Sequence, residues 1–356
     1  MSTNGSTYAL LADLPVTIER YTLEGFHREV GEFVRRTTVI HLFGGGEEGV
    51  GEDVTYTADL HDDLQAAGPI QPLAGQWTLG DFCEHVDGLD LFPVAPDNGD
   101  VFRLYRRWAF HSAALDLALR QAGRPLRDVL GRTPEPLTFV ASMRLGDPAS
   151  VELVTRWLAA YPTLMFKLDA TASWDDDVVA ALAATGAIDS IDLKGLYRGS
   201  VVDNPGDAGL YRRVAEGFPG AWLEDPDLEA DGTDDALKPY RDRITWDAPI
   251  HSIADIEALP FAPKMVNVKP SRFGGLRRLC DGYDYCAKHG IRAYSGGQWE
   301  LSVGRGQAQY LAAMFHPDTP NDIAPIGYND PPPGSPGLPA SPLAPRPSAV
   351  GFRWED

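Results

Sequence analysis

Ser190-Ile-Asp-Leu-Lys194, Ala221-Trp-Leu-Glu-Asp-Pro226 and Ile244-Thr-Trp-Asp-Ala-Pro249 share one design. Each is a short apolar run closed by a carboxylate: Asp192, Glu224 and Asp247. The steps from 192 to 224 and from 224 to 247 are 32 and 23 residues. That spacing suits one strand plus one helix per step, which predicts parallel strands. The fold class is α/β, a modified TIM (β/α) barrel, with the three carboxylates at the rim where barrel enzymes keep their active sites. Three converging carboxylates repel one another unless a cation sits between them. A hard divalent ion with oxygen ligands, Mg²⁺ above all, suits such a set.

A lysine follows at the next interval. Val266-Asn-Val-Lys269-Pro-Ser-Arg-Phe-Gly-Gly275 reads as a buried strand ending in Lys269, then a Gly-rich turn. A lysine near a bound cation has a lowered pKa, because the metal's charge disfavours the ammonium form. Such an amine is a general base near neutral pH. Carboxylates, metal and lysine together point to proton abstraction beside a metal-bound carboxylate.

Working outward, residues 137–294 alternate strand and helix patterns. Strand-like runs are 137–142, 164–168, 190–193, 221–223, 244–246, 265–268 and 292–294, with helical stretches such as 176–185 and 208–217 between them. Residues 197–207 fill the long step as an enlarged loop on the carboxylate rim. Upstream, residues 16–24 and 34–43 read as strands, Gly44–Gly49 as a turn and 50–56 as a third strand. No Gly-x-x-x-x-Gly-Lys follows those glycines, so they make a hairpin rather than a phosphate loop. Residues 101–122 carry the best helix pattern, ending at Gly123 and Pro125, with His111 packed inside it. Residues 330–347 are proline-rich and extended, and 349–354 alternate as a strand returning to the N-terminal region.

The chain has 356 residues, enough for about two domains. Its net charge is −20, which excludes nucleic acid and anionic membrane as natural partners. Cys83, Cys280 and Cys286 have no framework or metal-ligand spacing and read as reduced structural thiols in a cytoplasm. The first residues, Met1–Tyr8, show no basic segment followed by an apolar one, and no run approaches the roughly 20 apolar residues of a membrane span. His251, His289 and His316 share no ligand spacing and read as surface or cap residues. Asp189 is read as preceding its strand, and Asp225 as pointing away from the interior.

The chain resembles the enolase superfamily, within it the muconate-lactonizing and o-succinylbenzoate-synthase-like subgroup. The resemblance rests on Phe166-Lys167-Leu-Asp169, Asp192-Leu-Lys194-Gly195, Trp222-Leu-Glu224-Asp-Pro226, Trp246-Asp247, Val268-Lys269-Pro-Ser-Arg-Phe-Gly-Gly275 and Gly296-Gly-Gln-Trp-Glu300-Leu-Ser-Val-Gly-Arg305. It covers residues 105–325. It implies an α+β capping domain over 1–105, completed by the tail 326–356, and a barrel over 106–325. It also implies that Asp192, Glu224 and Asp247 bind Mg²⁺, that Lys269 faces one side of the substrate, and that a symmetric homo-oligomer forms. Glu300 falls where the family places a late-strand carboxylate, which pairs with Lys269, polarises substrate, or makes a rim salt bridge. Ser295 and Gln298 are candidate contacts for substrate polar groups, and Arg305 is structural.

Three departures stand out. The family's Lys-x-Lys is Lys167-Leu-Asp169 here, its Asp-x-Asn is Asp192-Leu-Lys194, and the glutamate after its third ligand is Ala248. Residues two apart in a strand share a face, so Lys194 points into the mouth beside Asp192. An Asp169–Lys194 ion pair would mean that a lysine has moved from one strand to the next. The expected function is α-proton abstraction from a small-molecule carboxylate by Lys269, giving a metal-stabilised enolate and then lyase or cycloisomerase chemistry. Racemisation of N-acylamino acids or dipeptides needs a second base, Lys167 or Lys194. A barrel that binds Mg²⁺ without turnover is the rival reading.

Overall fold

The computed structural model describes residues 6–30, 33–96, 99–200, 202–329 and 336–355. Residues 1–5 and 330–335, part of the leader and proline-rich readings above, lie outside them. The N-terminal region holds an antiparallel sheet of β2 (Arg20–Val30), β3 (Phe33–Gly44) and β4 (Glu47–Asp53), in the order β2-β3-β4. A separate pair joins β1 (Pro15–Ile18) to β5 (Gly75–Thr78). The strand expected over 16–24 is thus broken at Glu19 and serves two sheets. The glycine run turns the β3–β4 hairpin, with Gly45 at φ 59° and Gly46 at φ 78°, a region side chains avoid.

The helix Gly99–Gln121 lies on β4. Gly49 and Gly51 make that approach possible: a Cβ on Gly49 would stand 2.2 Å from Ala113 O, and one on Gly51 2.1 Å from Ala109 O. His111 is packed inside this helix as expected, its Nδ1 accepting from Leu276 N.

The second region is one parallel sheet of seven strands in chain order: β6 (Val140–Arg144), β7 (Met165–Asp169), β8 (Ile188–Asp192), β9 (Trp222–Glu224), β10 (Ile244–Trp246), β11 (Met265–Asn267) and β12 (Arg292–Tyr294). Helices intervene, including Asp176–Ala184 and Ala208–Gly217, as their patterns predict. Asp189 lies within β8 rather than before it. The sheet curls, and the segment 321–322 bridges both its edges. Asn321 pairs with Phe139 before β6, and Asp322 with Gly296 after β12.

The alternation along these strands is the point of the fold. Phe166, Leu168, Ile191, Leu223, Trp246, Val266 and Val268 are buried and apolar. Between them Lys167, Ser190, Asp192, Glu224, Thr245, Asp247, Asn267 and Lys269 are buried and polar. Period-two geometry sends the two sets to opposite faces. One face therefore carries a buried polar lining, which costs free energy unless it is paired.

The N-terminal region grips the segment after β12 at two points. Arg35, fully buried, donates to the carbonyls of Gln298 (2.8 Å) and Trp299 (3.0 Å). The Glu52 carboxylate accepts the N–H groups of Leu301, Ser302 and Gly304, capping the helix Val303–Phe315. Among the described residues the tail forms isolated bridges, Leu343 with Leu137, Gly351 with Pro125 and Pro347 with Trp354, rather than the expected strand. Asp116 docks it, accepting from Phe352 N and Arg353 Nε, both at 2.7 Å.

Candidate active site

Strand register delivers the carboxylates. Asp169 pairs with Asp192 and Asp192 with Glu224 across β7, β8 and β9, so three acidic strand ends share one rung. Lys167 comes up between them. Its Nζ donates to Glu224 Oε1 and lies 3.2 Å from Asp192 Oδ2 and 3.4 Å from Asp322 Oδ2. Lys194 takes the other flank of Asp192: its Nζ stands 2.5 Å from Oδ2 and its backbone N–H donates to Oδ1 at 3.1 Å. Burial alone would raise the Asp192 pKa, but these two lysines outweigh it and hold the carboxyl low. At Glu224 burial prevails, helped by Asp192, Asp247 and Asp225, and the pKa is driven well up.

Asp225 departs from its reading. A backbone φ of 49° after Glu224 turns its carboxylate inward, where it accepts from Asp247 N (2.8 Å) and Ala248 N (2.9 Å). It is fully buried, and burial with Asp247 and Asp192 nearby pushes it up to about 7. Asp192, Glu224 and Asp225 each offer an oxygen within 4.8 Å of the others. Lys194, Asp225 and Trp299 are the non-glycine residues with positive φ among the described residues. Lys194 and Asp225 belong to this cluster and Trp299 to the strap held by Arg35, and such conformations persist where surrounding structure enforces them.

Asp247 belongs to the cationic side. Lys269 Nζ donates to its Oδ2 at 2.8 Å, Arg272 Nη1 to its Oδ1 at 2.8 Å, and the Tyr197 hydroxyl to Oδ2 at 3.0 Å. Burial, with Arg272 and Lys167 nearby, lowers the Lys269 pKa against the pull of Asp247. Gly296 makes room for this lysine, since a Cβ there would lie 2.4 Å from Lys269 Cε.

The expected pairings come out unevenly. Asp169 and Lys194 are 3.8 Å apart, but Lys194 is closer to Asp192, and Arg144 approaches Asp169 at 3.7 Å. Glu300 pairs with Arg305 Nε at 2.9 Å and accepts from Gln298 N, which places it on the strap held by Arg35 and Glu52. Gln298 bonds Tyr56 and Tyr105. Ser295 Oγ is buried without a partner, as is the whole amide of Asn267. His316 is not a surface residue. It is a cap, as the other half of its reading has it: it closes the helix Val303–Phe315 with its N–H on Ala312 O, buried against Tyr283, its Nδ1 beside Asn321 Oδ1 at 2.8 Å.

Four site residues escaped the sequence reading. Tyr294, at the end of β12, donates its hydroxyl to Glu224 Oε2. Asp322 reaches Lys167, and Arg272 and Tyr197 hold Asp247. Tyr294 and Arg272 lie inside or beside quoted motifs, where strand alternation and the turn after Lys269 were available signals. Asp322 sits in no strand pattern.

The cluster is closed. Apart from Arg144 at the rim, 39% exposed, its most accessible members are Asp169, Lys194 and Asp322, with side-chain exposures of 15%, 15% and 21%. A cavity of about 460 Å³ lies near the loops after β8, β9 and β10, lined by Leu196, Arg198, Trp246, Ala248 and Leu259. None of the cluster lysines or carboxylates lines it, so we place the chemistry by the charged groups rather than by this hollow.

The residues present fit a divalent cation. Asp169, Asp192, Glu224, Asp225, Asp247 and Asp322 are six carboxylates facing five cations, Arg144, Lys167, Lys194, Lys269 and Arg272. Burial and mutual repulsion raise Glu224 and Asp225, so a cation between them would favour their ionised forms, and the donors are the hard oxygens that Mg²⁺ takes.

Residues 133–330 match the C-terminal domain, and residues 9–129 the N-terminal domain, of a family described as domain of unknown function DUF8230. An o-succinylbenzoate synthase of Bacillus subtilis (strain 168) is 26% identical over 228 residues, 60% of this chain and 57% of that one. An N-succinylamino acid racemase of Amycolatopsis sp is 27% identical over 226 residues, 61% of this chain and 59% of that one. The chain thus spans less than two thirds of these two relatives. An N-succinylamino acid racemase of Thermus thermophilus is 27% identical over 318 residues, covering 84% and 81%. Among solved structures, a dipeptide epimerase from Methylococcus capsulatus complexed with Mg ion superposes with a TM-score of 0.66 at 20% identity, covering 86% of this chain and 89% of that one. A muconate cycloisomerase from Pseudomonas fluorescens gives 0.64 at 17%, covering 87% of each. The chain belongs to the DUF8230 family, matched over both its domains, and shares the fold of that dipeptide epimerase and that muconate cycloisomerase.

Proposed function

We propose that this protein is a Mg²⁺-dependent enzyme that removes the α-proton of a small-molecule carboxylate and passes the resulting enolate to lyase or cycloisomerase chemistry. The observation that carries this reading is the convergence of strand-end carboxylates and lysines on one buried polar face. Asp192 and Glu224 hold the metal, with a third ligand from Asp247 or Asp225. Asp247 follows from the family pattern, and Asp225 from its oxygen's nearness to the other two. Asp247→Asn and Asp225→Asn in parallel Mg²⁺ titrations decide between them, because losing a ligand weakens binding far more than losing a neighbour. When bound, the metal offsets the charge that develops on the substrate carboxylate.

The protein's own groups do the rest. Lys269 Nζ, released from Asp247 Oδ2, takes the α-proton. Lys167 and Lys194 stay protonated, since their carboxylate partners hold both pKa values well up against the opposing effect of burial. They pair with the substrate's anionic oxygens and return a proton where one is needed. Asp169 keeps Lys194 over the mouth. Glu300 and Arg305 fix the strap beside Gly296, whose bare Cα leaves Lys269 its channel.

The curled sheet and the 321–322 segment together read as a barrel over 106–325. Residues 1–105 form its cap, completed by 326–356. We further infer a homo-oligomer in a reducing cytoplasm, in line with three buried unpaired cysteines. No described helix is long and apolar enough to cross a membrane. Racemisation of N-acylamino acids or dipeptides is the second reading. The Thermus relative favours it, and Lys167 or Lys194 would be the opposite proton donor. Solvent deuterium incorporation into hydroxy acids, N-acylamino acids, dipeptides and succinylbenzoate-type acids separates the readings. Exchange with loss of water indicates the lyase, and exchange with inversion the racemase. No exchange by a Mg²⁺-loaded protein indicates a barrel that binds metal without turnover.

A further inference from the structure

Lys167 stands between two sets of carboxylates. On the inner side are Glu224 and Asp192, both fully buried. On the outer side is Asp322, part-exposed and 3.4 Å from Nζ. The Asp322 backbone is fixed, because its N–H donates to Ser295 O at 2.7 Å and its carbonyl accepts from Gly297 N at 2.8 Å. Its carboxylate alone has room to move.

An ammonium and a divalent cation cannot share Glu224 and Asp192. Both would sit within a few ångströms in a site closed to water, where like charges repel strongly. Lys167 is anchored mid-sheet on β7, so it cannot leave the interior, but its side chain can swing on its four-carbon stem.

We propose that Lys167 is the cation seated between Glu224 and Asp192 in the metal-free protein, that metal binding displaces it from both, and that Asp322 receives it. This rests on the metal-dependent reading above. Asp322 is then a positioning residue: it holds the Lys167 ammonium at the mouth, turned from the metal toward the substrate. Metal affinity is set by the competition, and Asp322 tips it.

The test is Mg²⁺ binding by calorimetry, with Mn²⁺ binding by electron paramagnetic resonance as second probe. It uses the whole chain as wild type, Lys167→Met, Asp322→Asn and the double variant. Lys167→Met is expected to bind Mg²⁺ about tenfold tighter than wild type and to melt at lower temperature without metal. Asp322→Asn is expected to bind about tenfold more weakly, because Lys167 has lost the place it moves to. In the double variant that weakening is expected to vanish, since no lysine remains to be placed. Simple electrostatics from Asp322 would instead weaken binding equally with and without Lys167, and that additivity would overturn the proposal. So would unchanged or weaker binding in Lys167→Met. If Lys167→Met fails to fold, Asp322→Asn carries the test, and wild-type affinity there contradicts it. Wild type that takes up neither Mg²⁺ nor Mn²⁺ sinks the metal reading, and this proposal with it.

Discussion

Two buried ionic networks in this molecule are built on opposite plans. In the N-terminal region Arg106 donates to Asp53 through Nε at 2.7 Å, and to the carbonyls of Leu91 and Leu60 through its other nitrogens. Asp53 also accepts from Thr55 N and Oγ1, while His61 donates through Nε2 to Thr55 O and meets Thr38 Oγ1 at Nδ1. One carboxylate meets one guanidinium, and the remaining groups find neutral partners. At the strand ends, by contrast, several carboxylates share a few lysines, Asn267 has no partner, and Arg272 Nε is unpaired. A satisfied network rigidifies a fold, whereas a half-satisfied one is costly and persists where function needs it. On that ground we read the first as structural and the second as the proposed site.

The comparison breaks if the two networks respond alike to mutation. The largest effect is expected at Asp53. Asp53→Ala leaves Arg106 buried and uncompensated, at a cost of about 3–5 kcal/mol by denaturant melting, while Mg²⁺ affinity stays within about twofold of wild type.

His316 gives the next effect, a pH dependence outside both networks. Burial lowers its pKa from 6.5 to about 4. The unfolded chain therefore takes up a proton near pH 6.5 that the native one refuses until about pH 4. The stability contribution is full above 6.5 and erodes as pH falls toward 4, by about 3 kcal/mol in all. His316→Asn is expected to flatten that part of the stability–pH curve.

Glu224→Gln sharpens the contrast, because it is expected to stabilise. Removing one of the crowded buried carboxylates relieves desolvation and repulsion from Asp192, Asp225 and Asp247. The metal-free protein gains about 1 kcal/mol in thermal melts and loses Mg²⁺ binding. Destabilisation there would mean that the cluster is structural after all. The smallest effect is expected at the rim, where Asp169→Asn changes stability by less than about 1 kcal/mol, because the pair with Lys194 is long and partly solvated.

Asp192 and Glu224 on neighbouring strand ends were legible because apolar runs, acidic termini and repeat length all followed from βα periodicity, whereas Asp169, the third on their rung, was legible only as a partner for Lys194. Lys269 and the helices at 176–184 and 208–217 were legible for the same reason. What was not legible depended on single dihedrals or distant contacts. Asp225 turns inward through a positive φ that no pattern encodes. Asp322 reaches Lys167 across 155 residues from a segment that makes only bridges. The grip of Arg35 and Glu52 on the strap after β12 joins residues more than 240 apart. His316 reads as a surface or cap residue, and it is a cap, but its burial against Tyr283 leaves no trace in spacing.

The central claim is that Lys269 is the base of a metal-assisted proton abstraction. The direct measurement is α-proton exchange in D₂O with Mg²⁺ across the carboxylate set, for wild type and Lys269→Ala. The account expects metal-dependent exchange in wild type and a loss of about 10²–10⁴-fold in the variant, with its Mg²⁺ binding retained. Undiminished exchange in Lys269→Ala, or none in a metal-loaded wild type, would contradict it.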